Sequence, residues 1–240
     1  MRFISIFLSV FIFTACSQKE EKIPVDLTRK GFSYYPAGEL APVTSGQGRK
    51  GDNYVYAPGI RFPIESAPAY LNSQVYGVGG YLGPKGSLCS ETNYAYPWHD
   101  NYCEKRSKYN MPLCSMGTGH QGVDIRTATC EKKKYYAVAV ENGVITSIGT
   151  YTVQLRGISG RTYRYLHLDS ATLKVKRGQN LRRGQRIGLV SNNMGSTPTS
   201  IHLHFDMKQT IKIGNSSKTV FVPPYTSLVE AYKRLLQGHP

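Results

Sequence analysis

The chain has 240 residues, enough for one medium domain with extensions and a real buried core. Hydrophobic residues make up 40% and charged residues 19%, an ordinary globular balance. Thirty Lys and Arg against fifteen Asp and Glu give a net charge of +15, which attracts polyanions. No basic helix or aromatic-plus-basic motif is present, so nucleic acid is set aside in favour of wall polymers or a membrane surface.

In chain order, Met1-Arg2 precedes the apolar run "FISIFLSVFIF" and then "TACS". A basic start, a short apolar run and small residues predict a secretory leader over 1–15. The run is too short for a spanning helix, which takes roughly 20 residues. Thr14-Ala15-Cys16 resembles a bacterial lipoprotein cleavage box, with Phe13 where Leu is usual, and marks Cys16 for lipidation. Ser17 resembles the outer-membrane sorting pattern. The expectation is an exported protein, lipid-anchored to the outer membrane and facing the periplasm. A plain signal peptide cut nearby is the alternative. Residues 16–58, rich in Gly, Pro, Ser and charge, read as a tether with local structure at most.

The domain proper is expected over 59–224. It opens with "RFPI" and "LNSQVYGVGG", which look like short strands. Residues 84–118 form an irregular Tyr-rich insertion that carries Trp98. With Cys16 set aside, Cys89, Cys103, Cys114 and Cys130 make an even set, and an oxidising compartment implies two disulfides. Short local loops favour 89–103 with 114–130. A zinc held by four cysteines is disfavoured, because paired C-x-x-C knuckles are missing. From residue 120, short segments recur with turns between them: "YYAVAV", "GVITSIG", "YTVQLRG", "TYRYLHL", "QRIGLVS", "IHLHFDM" and "TVFVP". This spacing predicts a mainly β, antiparallel domain. Over 225–240, Ser227-x-x-Glu230 reads as a capping box ahead of a helical stripe of Leu228, Val229, Tyr232, Leu235 and Leu236. The basic clusters "KKK" and "KVKRGQNLRRGQR" read as solvated loops and hairpins.

Four histidines have company. In "HLHFDM", Ile201, Leu203 and Phe205 alternate with His202, His204 and Asp206, so the polar three share one face of a strand. "GHQGVDI" sets His120 four residues before Asp124, and "YLHLD" puts His167 on another strand. A catalytic zinc takes three protein ligands and leaves one position open. His120, Asp124 and one of His202 and His204 supply two nitrogens and an oxygen. The other two imidazoles would flank the activated water, as bases or as oxyanion partners. Asp206 reads first as a plain strand residue, with support of a ligand as the alternative. His99 and His239 read as surface residues.

The ordered set "HQGVD", "YLHL" and "HLHF" resembles the lysostaphin-type (LytM-like) zinc endopeptidases of peptidoglycan, and "AVENGVITSIG" and "KVKRGQNLRRGQRIGLVS" resemble their connecting hairpins. Ser200-Ile201 stand where that family has Gly-Pro. The resemblance implies one zinc per chain on His120, Asp124 and His204, with His167 and His202 as the catalytic pair. It implies an antiparallel sheet bearing a metal-binding groove, and hydrolysis of stem or cross-bridge peptides by zinc-activated water. Peptidoglycan would be the partner, the membrane would be met through the N-terminal lipid, and the protein would be a monomer. The insertion, including Trp98, is expected to form one groove wall, with a stability staple as the alternative. Two other functions are weighed. A non-catalytic wall module that activates another hydrolase would lack some of the five residues. A carboxypeptidase would space the first His and Asp further apart and use an acidic base.

Overall fold

The alternation read from sequence is what builds the sheet. The computed structural model describes residues 31–240; the expected leader and Cys16 lie outside the described residues. Strands β1 (Tyr70–Leu71), β2 (Val123–Arg126), β3 (Tyr136–Val138), β4 (Gly143–Ile148) and β5 (Thr152–Gly157) come first. They are followed by β6 (Thr162–Leu166), β7 (Asn180–Leu181), β8 (Arg186–Leu189), β9 (Leu203–Ile213), β10 (Ser216–Val222) and one α-helix, α1 (Tyr225–Leu236). The main sheet runs β1-β2-β9-β6-β5-β4-β7, with β10 paired to β9, and every pair is antiparallel. A second, two-stranded sheet joins β3 to β8. The mainly β, antiparallel expectation holds.

Register decides which residues meet. Val123 and Ile125 of β2, Tyr163 and Tyr165 of β6, and Leu203, Phe205 and Met207 of β9 are all fully buried in one core. The alternate residues must then share the other face. There Asp124 lies opposite His204, and Arg164 lies opposite Asp206. Gly122 is needed where β2 approaches β9: a Cβ on it would come within 2.2 Å of the Phe205 carbonyl oxygen.

Several expectations change, and "RFPI" forms no strand beyond an isolated bridge at Ile64. The disulfides are Cys89–Cys130 and Cys103–Cys114, not 89–103 and 114–130. Loop-closure entropy grows too slowly with length to choose between these pairings. Tertiary anchoring chooses: Arg126 Nη1 donates to the Leu88 carbonyl at 2.9 Å, holding the neighbourhood of Cys89 against the strand that leads to Cys130. Trp98 is not a groove wall. It is fully buried against Phe32, Phe62 and Tyr232, and its Nε1 donates to the Ala69 carbonyl at 2.9 Å. Ser227 does not cap α1, whose N-cap is Pro224 with no side-chain bond; Ser227 Oγ instead accepts the Ala57 N–H at 3.0 Å. "LNSQVYGVGG" is a strand only at its first residue, because Ser73 Oγ accepts the Val75 and Tyr76 N–H groups and folds the chain into turns.

Part of the stretch read as tether has a place on the domain. Ala37, Leu40 and Ala57 are buried, and Tyr35 N–H donates to the Trp98 carbonyl at 2.9 Å. No helix among the described residues is long and apolar enough to cross a membrane.

Candidate metal centre

His204, on β9, and Asp124, on β2, face each other because the strands pair in that register. His204 Nδ1 lies 3.2 Å from Asp124 Oδ1 and 2.8 Å from His120 Nε2, while His120 Nε2 lies 3.4 Å from the same oxygen. Ligand atoms of these three residues all fall within 4.8 Å of one another, and all three side chains are buried.

The outward nitrogens are tied down. His120 Nδ1 meets the Asn101 carbonyl at 2.8 Å, with Arg106 Nη2 at 2.7 Å, and Nε2 faces the cluster. His204 Nε2 meets Asp206 Oδ2 at 3.1 Å, which turns Nδ1 inward. Asp206 is completely buried and is itself gripped by Arg164, with Arg164 Nη2 donating at 2.6 Å and Nε at 2.8 Å. It therefore orients His204, where the sequence reading put a plain strand residue first.

His167 and His202 stand beside these three. Their rings lie 4.5 Å apart, and His202 Nε2 is 3.4 Å from Asp124 Oδ1. His167 directly follows β6 in the left-handed region, with φ of 67°, a costly conformation outside glycine that turns the ring toward its partner. Its Nδ1 donates to the Asn193 carbonyl at 2.8 Å, and Tyr151 stacks on it at 5.8 Å. His202 Nδ1 donates to the Ser200 carbonyl at 2.9 Å. Both rings thus turn a bare Nε2 away from their backbone partners. The structure brings together all five residues singled out in the sequence.

Sequence reasoning missed Arg106. From the Cys103–Cys114 loop its guanidinium reaches into the cluster: Nη2 lies 2.6 Å from His120 Nε2 and contacts Asp124 Oδ2, while Nε is 3.0 Å from Glu104 Oε2. The only signal was its place in the insertion just before "GHQGVD". Asn101, in the same insertion, also serves the site: its carbonyl holds His120, and its Oδ1 accepts the Asp124 N–H at 3.1 Å.

Burial and charge set the protonation states. Burial would raise the Asp124 carboxyl, but Arg106, then His120 and His202, hold it well below the usual range. Burial first, and Arg106 second, pull His120 down to about 4. Burial is also the first cause that lowers His167 and His202. In His204, hydrogen bonds to Asp124 and Asp206 override burial and raise it. Glu104 is pushed up to about 7, by burial first. With His120 neutral, Asp124 ionised and His204 able to give up its proton to an incoming ion, the three donors fit a divalent cation that favours a mixed nitrogen and oxygen set.

A buried set of this kind on an antiparallel sheet, with two more imidazoles alongside, has the donor chemistry of a metal site. The family comparison is specific: residues 118–219 match the model of Peptidase family M23. No curated protein matches the chain. Solved structures that it resembles include a candidate glycyl-glycine endopeptidase lytM from Ruminococcus gnavus. That pair shares 18% identity over 75% of this chain and 62% of the other, with a TM-score of 0.44. The catalytic domain of lysostaphin from Staphylococcus simulans shares 22% over 53% of this chain and 90% of that one, with a TM-score of 0.38. A zinc-containing peptidase from Vibrio cholerae shares 25% over 48% and 33% respectively, with a TM-score of 0.30. This chain thus spans 62% of the length of the first of these.

Proposed function

We propose that this chain is a zinc endopeptidase that hydrolyses peptide bonds in the stem or cross-bridge peptides of peptidoglycan. The observation that carries the reading is the convergence of His120 Nε2, Asp124 Oδ1 and His204 Nδ1 beside two imidazoles whose Nδ1 protons are fixed elsewhere. Zinc bound there would supply Lewis acidity, polarising the scissile carbonyl and making water a nucleophile at neutral pH. His120, Asp124 and His204 would hold it. The bare Nε2 atoms of His202 and His167 would take the proton from the attacking water, pass it to the leaving amine and face the developing oxyanion. The M23 match supports peptidase chemistry, and the basic balance of the chain suits an anionic wall. The two disulfides support an oxidising, extracytoplasmic setting. We further propose that the protein belongs to the cell envelope, lipid-anchored through Cys16 to the outer membrane and facing the periplasm.

One observation favours a second reading, a metal-free module that acts through another wall hydrolase: the Arg106 guanidinium already lies among the donors. Mass spectrometry of purified peptidoglycan incubated with zinc-loaded protein separates the two. New internal cleavages by the wild type, absent in His204→Ala, are expected. One zinc per chain is expected in His167→Ala and His202→Ala, with turnover lost in both. A wild-type protein that neither retains zinc nor releases products would establish the second reading.

A further inference from the structure

Arg126 is a fully buried arginine whose partners among the described residues are neutral: the Asn72 amide oxygen, the Leu88 carbonyl and the Tyr94 ring. A buried charge left to neutral partners is costly, so where its hydrogen bonds lead is worth following. Its Nε donates to Asn72 Oδ1 at 3.0 Å. The Asn72 amide is fixed in this orientation because its Nδ2 donates to the Asn93 carbonyl at 2.7 Å.

The next links have a forced direction. Gln74 Nε2 lies 3.1 Å from the Asn72 carbonyl and 3.3 Å from Asn72 Oδ1, both acceptors, so the Gln74 Oε1 end points the other way. That oxygen contacts Ser200 Oγ, whose hydroxyl must therefore donate to it. The lone pairs left on Ser200 Oγ face His202 Nδ1 at 3.0 Å, and the Ser200 carbonyl faces the same nitrogen at 2.9 Å. Nδ1 is thus confronted by two acceptors and has to carry a proton. Gln74, Ser200 and His202 are all buried, so water offers no substitute partner. Asn72 has a second arm: its carbonyl accepts Asn101 Nδ2 at 2.8 Å, and Asn101 in turn holds His120 and Asp124.

We propose that Ser200 and Gln74, backed by Asn72 and Arg126, are positioning residues that keep the His202 proton on Nδ1 and its Nε2 bare toward the donor set. This rests on the reading of His202 as a proton-handling residue. Asn72 and Gln74 lie outside residues 118–219, so the M23 match does not account for the chain of bonds. It makes the segment after β1 part of the site. The direction matters chemically, because an Nε2 already protonated cannot accept a proton from water.

The test compares full-length wild type, Ser200→Ala and Ser200→Thr, loaded with zinc and assayed on peptidoglycan peptides. Ser200→Ala is small enough to fold, and it leaves Gln74 Oε1 without a donor. Its kcat is expected to fall about tenfold with KM and zinc stoichiometry unchanged, in the range typical of losing an outer partner. Ser200→Thr, which keeps the hydroxyl, should restore the rate. Nitrogen-15 NMR of the histidine rings supplies a readout that needs no activity. Wild-type His202 should show a protonated Nδ1 with slow proton exchange, and Ser200→Ala should show fast exchange. A wild-type His202 protonated on Nε2, or wild-type kcat in Ser200→Ala, would overturn the proposal. A wild type inactive on every peptide would count against the peptidase reading alone, because the NMR result would still decide the positioning claim.

Discussion

Arg106 and a divalent cation compete for His120 Nε2 and for the charge of Asp124. The guanidinium touches His120 Nε2 and the second oxygen, Oδ2, of the carboxylate whose Oδ1 faces the donor set, so a metal is held there only if Arg106 withdraws. Glu104 offers somewhere to withdraw to, since its carboxylate already lies 3.0 Å from Arg106 Nε. Hydrogen bonds to charged groups contribute about 1.5–3 kcal/mol each. Breaking one on metal entry therefore weakens binding by about tenfold or more. Zinc affinity of Arg106→Gln, measured by competition with a chromophoric chelator, is accordingly expected to exceed that of wild type by at least about tenfold. Equal affinities would mean that Arg106 already stands clear of the donors when metal binds. The apoprotein should respond in the opposite sense, with a lower melting temperature in Arg106→Gln, because the buried Asp124 loses its strongest counter-charge.

At the level of elements, α1 shows how a sequence signal can be right about structure and wrong about cause. Leu228, Tyr232 and Leu235 are buried as the periodicity demands, yet the Ser227 hydroxyl reaches back to the Ala57 N–H instead of capping its own helix. Ser227→Ala should cost about 1–3 kcal/mol, the penalty for leaving a buried N–H unpaired, while Glu230→Ala, at an exposed position, should cost nearly nothing. A double-mutant cycle in urea should show no coupling between them; a coupling near 1 kcal/mol would restore the capping box. The same contrast runs through the site. His202, His204 and Asp206 were legible because a period of two is a local property, and the extended run into β9 needs no other strand to put them on one face. The role of Asp206 was not legible, because it depends on Arg164 arriving across the β6–β9 register. Arg106, Asn101 and Gln74 sit in irregular segments whose course is set by disulfides, turns and distant anchors. The misread disulfide pairing has that origin too: Leu88 is held by Arg126, a contact no spacing rule encodes.

Across the whole molecule, the residues ahead of β2 are part of what holds the centre. Asp100 is the joint. One carboxylate oxygen accepts the Gly38 N–H at 2.9 Å and the other the Tyr102 N–H at 3.0 Å, linking the N-terminal segment to the insertion one residue before Asn101. Burial is complete enough to outweigh these bonds and raise its pKa from 3.8 to about 6. A carboxyl whose pKa is raised on folding binds its proton more tightly in the native state. Between about pH 4 and pH 6 the native protein therefore holds more protons than the unfolded chain, and stability falls as pH rises through that window. The shift corresponds to a loss on the order of 3 kcal/mol, complete above about pH 6 and absent below about pH 4. Other groups titrate in the same range, so the readout is a difference against Asp100→Asn, which cannot ionise. Urea unfolding of both proteins at several pH values should show wild type losing ground to the variant from about pH 4 to pH 6, whatever their absolute stabilities. A constant offset across that range would place the Asp100 carboxyl at its ordinary value. The joint would then be a plain pair of hydrogen bonds rather than a buried charge that the fold carries at neutral pH.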